Sequence, residues 1–178
     1  MSPTFRRTIA YHEAGYVVAA WALGYRVHFV TIASTAGCDG LCRWSSPLNR
    51  RTVRWALEGS GDVDRARPLI EDGIIVSIAG PIAHRRYNPR SGWRRRASGL
   101  KRGDFFQNGS NYHDAVDLIA RLYDGQPKVG DAYWRYLEAR AEGLVDGHWT
   151  EIKSVAGALI ERETLKTEEI LTVIRSAS

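Results

Sequence analysis

Apolar positions along the chain repeat at near-helical spacing first over 6–23, where Ile9, Val17, Ala20 and Trp21 share a face. Thr4 stands where an N-cap belongs, and Gly24 stands where a helix stops. The pattern then changes to a β-branched, partly alternating run over 26–32, which predicts a strand. A Gly/Cys/Asp turn over 37–42 leads to a possible return strand over 41–45. The polar stretch 46–67, with Pro47, Gly59 and Gly61, predicts a loop holding at most one short helix. A second helix is expected over 68–86, with Gly80 and Pro81 in its middle as a kink or a new start.

Helical periodicity returns at Ser110, a good N-cap, with Ala115, Leu118, Ile119 and Leu122 as the buried stripe to about 123. Further helices are predicted over 128–142 and 149–164. A last short one over 166–175 has Thr167 as cap and Glu168 and Glu169 in its first turn. The expected fold class is mainly α (α+β): one compact helical domain over 1–178, with a small β-element after the first helix and a basic loop at about 85–108.

Composition supports a folded domain, with 44% hydrophobic and 25% charged residues in 178. The longest apolar runs, 16–25 and 73–83, fall well short of the roughly 20 residues a membrane span needs. His12 and Glu13 lie inside the first helix and no leader pattern precedes them, so the expectation is a cytoplasmic protein without a transmembrane segment.

Charge is uneven. The net charge is +5, yet 85–102 carries eight Arg and Lys and no acid, and the other 17 basic residues are outnumbered by 20 acidic ones. This segment, Arg94, Arg95 and Arg96 above all, is a candidate grip for nucleic-acid phosphates or an anionic membrane surface. A solvated insertion is the plainer reading, because no nucleic-acid motif accompanies the charge. Cys38 and Cys42 lack a second pair and are read as two reduced thiols. His28 is read as a strand-surface residue and His148 as a loop residue; neither is given a role.

The string that carries chemistry is His12-Glu13-Ala14-Gly15-Tyr16. In His-Glu-x-x-His, two imidazoles one turn apart hold a zinc ion and the glutamate activates its water. Here the first imidazole and the glutamate are present, and Tyr16 takes the second place.

The surroundings resemble the peptidase domain of the FtsH family. Residues 10–19 resemble its His-Glu-Ala-Gly-His opening, and 26–32 its following strand. Residues 78–83 resemble its Ala-Gly-x-x-Ala-Glu helix, with His84 where glutamate is common. Residues 109–115 resemble its Gly-Ser-Asp helix start, and 159–170 its closing Glu-x-Glu-Thr-Leu block. Five blocks in the family's order are spread along nearly the whole chain, from 10 to 170.

The resemblance implies a zinc metallopeptidase fold acting on polypeptide, with Glu13 as the catalytic base and His12, Tyr16 and Asn111 at the metal positions. Only His12 keeps the family's residue. A phenol ionises near about 10, and an amide oxygen is a poor zinc donor. Zinc is therefore expected to be held weakly or not at all, with Asp114 or His113 as possible substitutes. No Gly-x-x-x-x-Gly-Lys phosphate loop is present, so no ATP site is expected.

The expectation is a pseudopeptidase that binds a polypeptide, taken up beside the edge of the 27–32 strand. An active metallopeptidase with a non-standard site, or a nucleic-acid-associated protein using 85–102, are the alternatives. An oligomer stays open.

Overall fold

The structure is a computed structural model that describes residues 3–34, 39–89 and 111–177, with the backbone alone at 111–114. Its elements run α1 (Pro3–Ala22), β1 (Val27–Thr31), β2 (Leu41–Trp44), a 3-10 turn (Pro47–Asn49), α2 (Arg51–Leu57) and α3 (Val63–Tyr87). They continue with α4 (Asn111–Leu122), α5 (Pro127–Gly147), α6 (Trp149–Arg162), β3 (Thr164–Lys166) and α7 (Thr167–Ala177). The fold is mainly helical with one small sheet, as the periodicity predicts.

The core forms around α1, which packs chiefly on α3 and α6, while α3 also carries α4 and α5. α1 has an almost unbroken buried run from Glu13 to Ala20, so it is enclosed rather than amphipathic. Two glycines allow the close approach. A Cβ on Gly15 would sit 2.7 Å from the Ala79 carbonyl oxygen and 2.8 Å from Ala83 Cβ. Gly24 ends the helix region with φ of 80°, a left-handed conformation that glycine adopts freely.

The helix expected to begin at Pro68 begins at Val63 instead, capped by Asp62, whose Oδ1 accepts from the Arg65 N–H at 3.1 Å. Pro68 and Pro81 both lie inside this one helix. Each removes one backbone donor without ending the helix, because α1, α4 and α5 hold it in place by packing. The stretch 46–67 is correspondingly more ordered than its polarity predicts, holding the 3-10 turn, α2 and the start of α3.

The helix predicted to begin at Ser110 is seen from Asn111, and Ser110 itself lies outside the described residues. α1 already includes Thr4, so that residue is not its cap. The Thr167 hydroxyl likewise does not cap α7; it donates to the carbonyls of Val27 at 2.9 Å and His28 at 3.0 Å. The Glu169 carboxylate accepts from the Lys166 N–H at 2.9 Å, which ties the strand to the helix start.

The sheet has the order β2-β1-β3, antiparallel on both sides, with Val30 opposite Cys42 on one side and Leu165 on the other. β1, expected to offer a free edge, is thus the central strand. The strand that closes it, β3, sits where helix was predicted to continue to 164. α6 stops at Arg162 because Glu163 takes φ of 64° and turns the chain back. Arg6 anchors that turn, with a 3.0 Å ion pair to Glu163 and a 3.0 Å hydrogen bond to the Ile160 carbonyl.

Leu165 is fully buried between the sheet and the helices. Leu165→Ala is expected to cost about 3 kcal/mol of unfolding free energy, through lost burial and the cavity it leaves. Urea denaturation followed by circular dichroism measures it. A loss below about 1 kcal/mol would mean that β3 is not part of the core.

Candidate functional site

His12, Glu13 and Tyr16 all lie on α1, one turn or less apart. His12 and Tyr16, four residues apart, share the face toward α3, and a hydrogen bond of 3.0 Å joins His12 Nε2 to the Tyr16 hydroxyl. Gly80 makes room for the phenol: a Cβ there would lie 2.6 Å from the Tyr16 ring and 2.9 Å from the His12 carbonyl oxygen. The Tyr16 ring is therefore clamped between its own helix and α3, and Tyr16 is buried.

His84, one helical turn beyond Gly80 on α3, completes this group. Its ring is perpendicular to that of His12, with centroids 6.0 Å apart. Burial holds both imidazoles neutral: the pKa of His12 falls to about 3, with the nearby His84 adding to the effect, and that of His84 to about 4.

Glu13 points elsewhere, toward the segment entering β2. A Cβ on Gly40 would come within 2.7 Å of Glu13 Oε1, so that glycine lets the chain cross directly over the carboxyl. Glu13 Oε2 is buried without a hydrogen-bond partner among the described residues. Burial raises the Glu13 pKa to about 8, so the group is mostly protonated at neutral pH. Cys42 lies on the same side; burial, and then the Glu13 charge, push its thiol up, away from the reactive thiolate. Neither Tyr16 nor a backbone amide partners Glu13 Oε2, in contrast to the pairing expected for a buried carboxylate.

The other predicted positions are less informative. Asn111, His113 and Asp114 open α4, which packs on α3, but their side chains lie outside the described residues. Arg94, Arg95 and Arg96 and Cys38 also lie outside them. Among the described residues, no group of three His, Cys, Asp or Glu is gathered to hold a metal.

The basic segment does not begin as a loop. Arg85 and Arg86 belong to α3. Arg85 pairs with Glu138 at 3.5 Å and Glu142 at 3.2 Å, and Arg86 pairs with Asp146 and lies 4.4 Å over the Trp149 ring. Acids on α5 occupy these two cations.

Two features were not legible in advance. In the sequence His84 only takes the place of a common glutamate, and its approach to His12 follows from the packing that Gly15 and Gly80 allow. The aromatic stack of Tyr11 on Tyr87, with centroids 3.9 Å apart and Trp149 at 5.6 Å, braces the same helix ends. A surface pocket lined by Ile82, Arg85, Arg86, Pro89, Glu142 and Asp146 includes neither His12 nor Glu13.

No protein-family model matches the chain. A curated protein that it resembles is the ATP-dependent zinc metalloprotease FtsH of Acidimicrobium ferrooxidans, 26% identical over 207 residues. The alignment takes in 100% of this chain and 29% of that protein. The chain is distantly related to FtsH. The relationship spans the whole of this chain and under a third of FtsH. Among the described residues, no helix is long and apolar enough to cross a membrane.

Proposed function

We propose that the chain is a zinc-metallopeptidase-like domain of the FtsH type with a depleted metal site, a pseudopeptidase that binds polypeptide without cleaving it. The observation that carries this reading is Tyr16. A catalytic zinc takes three strong protein donors and leaves one position open. At the three positions that the resemblance assigns, the residues are His12, Tyr16 and Asn111, and one imidazole remains. The second place is filled by a phenol hydrogen-bonded to His12 at 3.0 Å. Glu13, the residue that would activate water, is buried against Gly40 and mostly protonated at neutral pH. These residues do not fit a catalytic zinc.

The polypeptide-binding part of the reading rests on the sheet. With β1 central, the outer edge nearest Glu13 belongs to β2, which pairs with no further strand among the described residues and whose Leu41 is 41% exposed. An extended segment adds to such an edge through main-chain hydrogen bonds. Among the described residues of the basic segment, Arg85 and Arg86 are paired with acids on α5, which does not favour the nucleic-acid alternative.

The test combines binding, cleavage and restoration. Labelled casein is expected to bind the parent chain by fluorescence anisotropy, with no new fragments by mass spectrometry. Cleavage by the parent that a chelator abolishes would restore the active-metallopeptidase alternative. The double variant Tyr16→His, Asn111→Asp is expected to retain about one zinc per chain against a competing chelator that strips the parent. Equal zinc in variant and parent would show that these positions have been matched wrongly.

A further inference from the structure

The outer face of the small sheet carries an aromatic ring that the core does not use. Strand alternation sends Val30, Cys42 and Leu165 toward the core, and Phe29, Arg43 and Lys166 to the opposite face. The register sets Phe29 opposite Arg43 on β2 and opposite Lys166 on β3, so one row across the sheet reads cation, ring, cation. Phe29 is half-buried, does not pack on the hydrophobic core and makes no ring contact among the described residues. Arg43 and Lys166 are exposed.

The face has one sign of charge. No Asp or Glu lies on β1, β2 or β3. The acids nearest the strand ends are turned to other contacts. Glu163 pairs with Arg6 at 3.0 Å, and Glu169 with Arg162 at 3.7 Å and with the Lys166 N–H at 2.9 Å. Asp39 accepts from the Ser34 hydroxyl at 3.4 Å, and Glu168 lines a separate pocket with Trp21 and Val27. Among the described residues, neither the Arg43 guanidinium nor the Lys166 ammonium has an acidic partner. We propose that this outer face binds single-stranded nucleic acid, with one base stacked on Phe29 and the neighbouring phosphates held by Arg43 and Lys166.

The chemistry of the row selects the occupant. Neighbouring strands lie about 4.8 Å apart, so the two cations flank the ring closely on either side. A benzene ring offers a stacking surface to any base, and the cations neutralise phosphates without reading sequence. An acidic peptide would meet both cations but leave the ring without a planar partner. A duplex keeps its bases inside the stack and presents phosphates alone. Single strands are therefore preferred, with no sequence preference. The face includes none of residues 85–102 and does not depend on the polypeptide-binding reading, so either stands if the other fails.

The experiment titrates a short fluorescein-labelled oligothymidylate with the full chain and follows anisotropy at several salt concentrations. The single strand is expected to bind at least about fivefold tighter than a duplex of the same length. Phe29→Ala is expected to lower affinity at least about fivefold with the salt dependence unchanged. Arg43→Gln and Lys166→Gln are each expected to reduce the slope of log affinity against log salt by about 0.7, the share of one phosphate. Arg135→Gln, an exposed cation on α5, is expected to change neither. Photocrosslinking of the parent chain to a strand carrying 5-iodouracil is expected to mark residues 27–31, located by mass spectrometry. The proposal is overturned by no binding, by equal binding of single strand and duplex, by full affinity in Phe29→Ala, or by crosslinks found only outside the sheet. A polyglutamate peptide that binds as tightly as the oligonucleotide, and is weakened as much by Phe29→Ala, also overturns it and assigns the face to acidic polypeptide. Because the crosslink needs only the parent chain, it decides the matter even if a variant fails to fold.

Discussion

Gly15→Ala is expected to lower the unfolding free energy by about 3 kcal/mol, at the upper end of the range for overpacked cores. The added methyl has no space: it meets the Ala79 carbonyl oxygen at 2.7 Å, Ala83 Cβ at 2.8 Å and Gly80 Cα at 3.0 Å. Two of these are backbone atoms and the third is bonded directly to backbone, so no flexible side chain can swing aside. Relief requires α1 and α3 to separate, and that interface lies at the centre of the core. Alanine is intrinsically better than glycine in a helix by about 1 kcal/mol, and the clash must exceed that gain.

Gly143→Ala provides the control. Gly143 is exposed in α5 with nothing within 4 Å of the new methyl, so only the intrinsic gain applies, and a rise of about 0.5–1 kcal/mol is expected. Urea titration of both variants measures the contrast. If Gly15→Ala matches or exceeds the parent in stability, α1 and α3 do not approach as described.

Glu13→Gln is expected to flatten the pH dependence of stability, with the largest gain over the parent above pH 8. In the folded chain the carboxyl titrates near about 8, well above its ordinary value of 4.5, because burial disfavours the charge. Between those two values the unfolded chain has lost the proton and the folded chain still holds it. Folding therefore takes up a proton, and the stability tied to this group falls as pH rises, by at most about 1.4 kcal/mol per unit. That contribution is fully present below the ordinary value and lost once pH passes about 8.

Glutamine carries no charge at any of these pH values, so the difference between variant and parent grows through the window to something on the order of 4 kcal/mol. The amide brings donors that the site does not need, at a cost of about 1 kcal/mol, so near pH 4.5 the variant is expected to be slightly the weaker of the two. Thermal or urea denaturation at pH 5, 6.5 and 8.5 gives the slope. Parallel profiles for parent and variant would show that Glu13 is solvated or paired, contrary to its buried, unpartnered Oε2.

These two positions are adjacent parts of one motif, yet the sequence speaks to them unequally. The string over 12–16 declared a helix, a histidine–glutamate pair and a tyrosine in place of a second imidazole, and those readings needed nothing beyond local spacing. It did not reveal that Glu13 faces Gly40 and Cys42 rather than the His12 side. One residue along a helix is a rotation of about 100°, and what lies in that direction depends on where β2 crosses. Cys42 was read as a bystander for the same reason. Arg85 and Arg86 joined a run of cations on paper. Their acids are more than fifty positions away on α5, a partnership that no local window contains.

The sequence by itself determined the helical class, the course of α1 and its glycine stop, the strand that follows, and a tyrosine four residues after His12. Each depends on interactions within a few residues: turn periodicity, left-handed backbone and the chemistry of one side chain. Tertiary structure alone decided that β1 is central, because β3 reaches it from 133 positions away, at the Thr31–Thr164 contact of 2.7 Å. It also decided that His84 stands over His12 and that Glu13 is enclosed. Those outcomes come from close packing of distant helices through Gly15 and Gly80, where the absence of a side chain marks the place and the partner supplies the meaning.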